Sequence, residues 1–526
     1  MGLRRAPSKT VTEMIPKLQL PVIEDDQRRR RQRRGSGELR VIFVHTPMAT
    51  YTVDERRMFW RNFDIRYHAT HPGLQHMRRV LWELPHWMTW LAGVLVHAGY
   101  TNLGTLDFYS TECALSGVDR ERVLQSLRNH PADVYLFSPM TPNLFFAYQI
   151  AELIKSLYPE SKNVFGGVVA TPLREEVAAH PSVDFVVHGR GEYALPHLLD
   201  AICGQEELGE VGNLCYRTAS GEVVTTRHTY PWMPLDEIPF PKVDLFPQDV
   251  GLDLRYIRQV YGLGCPYECK FCTIQTIGRK PNYFPIERVL SEIRAYRAHY
   301  GTHHNIYFGD ETFTANTERT KDLCDALERE GNVMYDCQTR LNLVKDANML
   351  KSMERSGCRW VELGVEAVNQ QTQNIFKQRV NLSPLNETLG RLRDEGLPVC
   401  SFLVNGFPNQ TLDDMRRSVD FVGELVVKGL LQATYMFGLV PYPGSDIYHN
   451  PERYGMRLHH HDFRLYHEDM EPVFDTQYAT AEEIYEVFLY GLRELGRAMG
   501  TAPYFGELLS GPEAETFGTF WESSHV

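Results

Sequence analysis

The 526-residue chain has no long hydrophobic run. Its longest strongly apolar stretch, Trp87 to Val96, is about ten residues, well short of the roughly 18–20 that cross a bilayer. The first twenty residues, MGLRRAPSKTVTEMIPKLQL, lack the apolar segment of a secretory signal. The expectation is a cytoplasmic protein without a membrane span. Cysteine is sparse, ten in the whole chain, which excludes a disulfide scaffold. A basic excess is also missing. Net charge is −12, and residues 1–40 hold eleven Lys/Arg against five Asp/Glu, so the other 486 residues carry −18. An acidic body argues against nucleic acid as a partner. The basic run Arg28 to Arg34 reads as a solvated arm.

The chain is 43% hydrophobic and 23% charged, so it can bury real cores, and its length predicts two to four domains. Residues 1–38 read as a basic tail. From 39 to 215, short apolar runs such as Val41–Val44 alternate with helical patterns, including HWMTWLAGVLVHAGY ending at Gly99 and helices near 118–129, 144–157 and 171–179. This alternation predicts an α/β, doubly wound (Rossmann/flavodoxin-like) domain, whose ligands sit at the carboxyl ends of the strands. Ser138 and Thr141, Gly166 and Gly167, and Gly189, Gly191 and Glu192 all follow predicted strands. Glycine there lets a ligand approach the backbone. Prolines 231, 234, 239, 241 and 247 mark a linker over 216–250, next to a hairpin pattern, NLCYRTASGEVVTTRH. From 251 to 448, six strand–helix units predict a partial (β/α)6 barrel with function at its strand ends. Residues 449–526, with one helical pattern at 480–498, read as a helical C-terminal cap.

The first barrel strand runs into GLGCPYECKFCTIQ, which places Cys265, Cys269 and Cys272 as C-x3-C-x2-C in one loop. Three thiolates so close converge on a soft metal centre. An iron–sulfur cluster held by three thiolates leaves one iron open. Zinc normally takes a fourth Cys or His in a closed site, and the nearest histidines, His303 and His304, precede a strand about thirty residues on. Residue spacing alone leaves cluster, zinc and unrelated cysteines open.

With Phe271 before its last cysteine, this motif resembles that of the radical S-adenosylmethionine superfamily, and the resemblance covers about 256–445. It implies a [4Fe–4S] cluster on Cys265, Cys269 and Cys272 whose open iron chelates S-adenosylmethionine. One electron then cleaves the cofactor to a 5′-deoxyadenosyl radical. It further implies that Gly309, Asp310 and Glu311, at a Gly-Gly-Glu-like position, hold the methionine amino group. Arg340 would reach its carboxylate in bidentate fashion. Of Glu362 and Glu366, which alternate onto one strand face, Glu366 is the expected cofactor contact. In LVNGFPNQT, Asn409 and Gln410 stand where the family usually has Gly-Glu.

The N-terminal stretches PHWMTWLAGVLVHAGY, SPMTP, FGG and HGRGE, with Pro441-Tyr-Pro-Gly-Ser445 later, resemble the cobalamin-dependent radical enzymes of this superfamily (class B radical methyltransferases). That resemblance implies a cobalamin-binding domain over 39–215. The nucleotide tail would run along Gly166 and Gly167, with Ser138 and Thr141 at its polar edge and Trp87 near the corrin. Gly189, Gly191 and Glu192 would complete the site. No Asp-x-His-x-x-Gly occurs, so no histidine is assigned beneath the cobalt. The implied activity is methyl transfer to an unactivated carbon, or a phosphinate phosphorus, of a small-molecule secondary-metabolite precursor. A flavodoxin- or ferredoxin-type protein would donate electrons. A tetrapyrrole-type oxidative cyclase and a non-catalytic cobalamin sensor are the competing expectations. The insertion 46–84 and the C-terminal stretch 450–526, through Trp60, Tyr67 and Phe463, are expected to shape the substrate pocket.

Overall fold

The computed structural model describes residues 39–47, 84–108, 120–248, 256–276, 278–301, 305–468 and 470–499. The basic tail, most of the insertion with Trp60 and Tyr67, and His303 and His304 lie outside the described residues.

The first seven strands form one sheet: β1 (Val41–His45), β2 (Leu103–Asp107), β3 (Val134–Phe137), β4 (Lys162–Phe165), β5 (Phe185–Val187), β6 (Leu214–Arg217) and β7 (Val223–Thr225). Their order is β2-β1-β3-β4-β5-β6-β7, with β1 to β5 parallel. A parallel strand covered on both faces needs a continuous apolar run, and β1 and β3 supply it. Along β1, Val41 and Phe43 join the core under helices 86–97 and 191–202. Ile42 and Val44 point into the core under helices 120–129 and 144–157. This two-sided burial is the doubly wound architecture, with its strand-order switch at β1.

Two details differ from expectation. The helix expected at 171–179 is two pieces, Gly167–Ala170 and Arg174–Ala179, interrupted around Pro172. The hairpin pattern near the linker is not a free connector. Its strands β6 and β7 add antiparallel to the edge at β5. Arg217 fastens it by donating to the carbonyls of Ala179 and Pro181 at 3.0 and 3.2 Å. An unpaired sheet edge is thereby covered by strands of the same chain.

The second sheet holds six parallel strands in chain order: β8 (Tyr256–Gln259), β11 (Asn305–Phe308), β12 (Tyr335–Arg340), β13 (Cys358–Glu366), β14 (Val399–Asn405) and β15 (Ala433–Gly438). A small antiparallel pair, β9 (Gly262–Leu263) with β10 (Asn282–Tyr283), interrupts the series after β8. β8 and β15 are the two edges, so the barrel is partial. Helices 286–300, 317–330, 347–355, 385–394 and 412–427 connect the strands. Helix starts follow local chemistry. Thr411 and Asp414 form a capping box, as do Thr480 and Glu483 at helix 481–498. That last helix packs on helix 412–427 and on β15. The C-terminal region also contains a hairpin, β16 (Met456–Leu458) with β17 (Phe474–Thr476), which no helical pattern announced.

The connector is pinned over residues 238–243. Gly93 lies where an added Cβ would stand 2.1 Å from the Phe240 carbonyl oxygen, so only glycine lets helix 86–97 meet the connector. Lys242 N donates to Thr89 O at 2.8 Å. From the barrel side, Arg288 donates to the carbonyls of Ile238 and Pro239, both at 2.8 Å, and the Tyr300 hydroxyl donates to Val243 O at 2.7 Å.

Candidate active site

The cysteine loop grows from the carboxyl end of β8 and is closed at its base by the β9–β10 pair. Cys265 N donates to Gly278 O at 3.2 Å and Cys272 N to Cys269 O at 3.1 Å. Burial pushes the Cys272 thiol up to about 12, and the nearby Cys269 and Cys265 add to the rise. Burial also raises Cys269, against the pull of Arg340 and Lys377. Burial opposes ionisation of Cys269 and Cys272, so a cationic centre is needed before these two serve as thiolate ligands. Three cysteine sulfurs on one loop are the soft donor set that an iron–sulfur cluster takes.

Two acids brace this loop. The Asp310 carboxylate accepts from Tyr261 N at 3.1 Å and from Gly262 N. Glu311 accepts from Gly264 N at 3.0 Å. Gly309 N continues the sheet pairing by donating to Gln259 O. Burial pushes Asp310 up to about 8, the neighbouring Glu311 adding to it while the two backbone donors oppose. Contrary to the expectation of a contact to methionine, the Asp310 side chain is spent on the stem of the cysteine loop.

Arg340 and Glu366 also have protein partners that residue type alone did not reveal. Arg340 is 5% exposed and donates through Nη1 to the Cys269 sulfur at 3.0 Å. Its Nη2 donates to Lys377 O and Gln378 O at 3.1 and 2.9 Å. Glu366 sits at φ +53, at a register shift against β14, and pairs with the buried Lys377 ammonium. Lys377 also donates to Gly364 O at 2.7 Å. The expected open face carrying Glu362 and Glu366 is therefore broken by the shift, and Glu362 accepts from the Tyr307 hydroxyl at 2.7 Å. Phe271 is half-buried with its ring edge-on to Phe407 at 5.7 Å.

The second feature is a cavity of about 270 Å³ at the carboxyl ends of β3, β4 and β5. Ser138, Gly166, Gly167, Gly189, Gly191, Glu192 and Trp87 line it, as do Val260 and Leu263 from the barrel. Gly167 has φ +85, and a Cβ there would lie 2.2 Å from Ser138 Oγ, so the floor is bare backbone by necessity. Glu192 is not an open anion, because Arg190 grips it at 2.5 Å. Thr141 is not part of the lining. It is buried in the turn Thr141–Asn143, which packs against the turn Phe463–Leu465. Phe463 likewise belongs to that core rather than to a pocket. His86 and Trp90 line the cavity too and escaped the sequence reading, although both lie in the PHWMTW stretch that drew attention to Trp87. The His86 Nε2 is buried without a partner, and burial, with Arg258 and Arg288 adding, pulls its pKa down to about 3. Aromatic walls, a glycine floor and an unpartnered polar atom fit an aromatic ligand carrying a few polar groups.

Comparison with known proteins agrees with both halves. The model of the Radical SAM superfamily matches residues 260–422, and that of the B12 binding domain matches residues 83–199. An uncharacterized methyltransferase of Pyrococcus horikoshii is 25% identical over 69% of this chain and 78% of its own length. The anaerobic magnesium-protoporphyrin IX monomethyl ester cyclase of Rubrivivax gelatinosus is 22% identical over 73% of this chain and 68% of its own. Among solved structures, the radical S-adenosylmethionine methyltransferase TsrM of Kitasatospora setae, with cobalamin and a [4Fe–4S] cluster bound, shares the fold. Its TM-score is 0.62 at 14% identity, covering 88% of this chain and 89% of that one. A Radical SAM domain thus follows a B12 binding domain in one chain, the pairing of the cobalamin-dependent radical S-adenosylmethionine enzymes, and a [4Fe–4S] cluster, S-adenosylmethionine and cobalamin are its cofactors.

Proposed function

We propose that this enzyme methylates an unactivated carbon, or a phosphinate phosphorus, of a small-molecule precursor in secondary metabolism. The observation that carries the reading is the cavity lined jointly by β3, β4 and β5 ends and by Val260 and Leu263. Leu263 is also in the stem of the cysteine loop, so the two cofactor regions abut through a few residues. When bound, the cluster with S-adenosylmethionine supplies a 5′-deoxyadenosyl radical, and methylcobalamin supplies the methyl group.

The chain's own residues bind, orient and exclude water. Cys265, Cys269 and Cys272 hold the cluster, and Asp310 and Glu311 keep their loop on the end of β11. The cavity is smaller than the ~300–1,000 Å³ that encloses a whole drug-sized ligand. It suits the nucleotide tail of cobalamin, along Gly166, Gly167 and Ser138, with the macrocycle over the mouth between the domains. The apolar walls Trp87, Trp90, Leu136 and Val164 keep that slot dry. Electrons come from a flavodoxin- or ferredoxin-type donor, and the thiol chemistry suits the reducing cytoplasm.

The test is anaerobic reconstitution with iron, sulfide and cobalamin, then turnover of candidate precursors with methyl-labelled S-adenosylmethionine. Label in the product is the expected result. Deoxyadenosine formed with an unlabelled, ring-altered product would instead favour the oxidative cyclase reading, which the similarity to the Rubrivivax enzyme keeps in view. No deoxyadenosine at all would point to a non-catalytic sensor.

A further inference from the structure

We propose that Arg340 is a positioning residue for the cluster, donating to the Cys269 sulfur and setting the potential at which a cluster on that loop takes up its electron. It does not grip the carboxylate of S-adenosylmethionine. The inference rests on the assignment of the cluster to the three loop cysteines.

Counting donors comes first. A guanidinium has five N–H groups. Both on Nη2 are used, by Lys377 O at 3.1 Å and Gln378 O at 2.9 Å. One on Nη1 goes to Cys269 Sγ at 3.0 Å, and Nε faces Asn342 Oδ1 at 3.4 Å. A single Nη1 hydrogen is left over. A two-pronged grip on a carboxylate needs a pair of parallel N–H groups, and that pair is already committed. The guanidinium plane is also held from the side, its Cζ lying 3.8 Å from the centroid of the Tyr267 ring. Tyr267 belongs to the same cysteine loop and in turn receives a hydrogen bond from Asn342 at 3.1 Å.

Charge comes second. Arg340 is always cationic and almost fully buried. A buried charge needs a counter-charge. Lys377, the other cation beside Cys269, already has Glu366. The Cys269 sulfur, a thiolate once it holds the cluster, is what remains for Arg340. Hydrogen bonds and positive charge at a cluster sulfur favour the reduced, more negative state and so raise the reduction potential.

The experiment compares the wild-type chain with Arg340→Gln and Arg340→Lys, each reconstituted anaerobically with iron and sulfide. The cluster midpoint is followed by redox titration monitored by electron paramagnetic resonance, and S-adenosylmethionine affinity by equilibrium dialysis. The glutamine variant is expected to shift the reduction equilibrium about tenfold toward the oxidised cluster, equivalent to about 59 mV for one electron. The lysine variant, which keeps the charge but not the fork, is expected to shift less. Affinity for S-adenosylmethionine is expected to change less than about threefold. An unchanged midpoint overturns the proposal, as does a tenfold loss of S-adenosylmethionine affinity. Failure of both variants to retain iron would also overturn it, making Arg340 part of the scaffold. A wild-type chain without a cluster would instead remove the cysteine assignment itself.

Discussion

At the scale of single residues, burial shifts the titration of Cys269, Cys272 and Asp310 upward from their values in water. Cys265→Ala, Cys269→Ala and Cys272→Ala are each expected to abolish the iron–sulfur absorbance and deoxyadenosine formation together, checked by spectroscopy and product chromatography. Asp310 titrates near 8 in the folded chain, against about 3.9 in an unfolded one. The native state thus binds the extra proton, and its stability falls as pH rises from about 4 to about 8. Asp310→Asn removes the titrating group but keeps only one of the two oxygens that accept from Tyr261 and Gly262, so it is expected to flatten that slope at a lower overall stability, measured as thermal midpoints across the same range. The cysteine trio was legible in the sequence because its spacing is local. Arg340, Glu366 and Asp310 were legible as types and as strand-end positions, but not by their partners. Those partners, Cys269, Lys377 and the Gly262 amide, come from other segments. For Glu366 the register shift beside Gly364 also undoes the alternation that period-two counting assumes.

Among the elements, the strand ends of the first sheet matter most, because a cavity built on bare backbone tolerates no added atoms. Gly167→Val meets both the 2.2 Å approach to Ser138 and a left-handed φ that costs an L-residue roughly 1–2 kcal/mol. Its expected outcome is several-fold lower cobalamin content per chain with iron content unchanged. Gly167→Ala combined with Ser138→Ala is expected to recover part of the loss, leaving the φ penalty alone. The regular elements were readable from periodicity, as helix 144–157 and the buried run of β3 illustrate. The β6–β7 hairpin was read correctly as a hairpin and placed wrongly as linker. Nothing in its own pattern states which edge it joins; the uncovered side of β5 decides that. The short hairpin β16–β17 gave no signal, since strands of three residues are below what alternation can mark.

For the whole molecule, the C-terminal region ties the two domains together. Phe463 is packed in a core shared by both, and the Arg464 guanidinium lies 4.9 Å from the Phe145 ring. Phe463→Ala is expected to cost about 3 kcal/mol. Unfolding followed by cobalamin absorbance and by far-ultraviolet dichroism is then expected to split, the cobalamin domain loosening before the barrel. The connector has the opposite kind of consequence. Its segment 238–243 is fastened to helix 86–97 on one side and to helix 286–300 on the other. A clasp of this kind would let spent nucleoside and fresh sulfonium exchange past a fixed seam rather than by a swing of one domain away from the other.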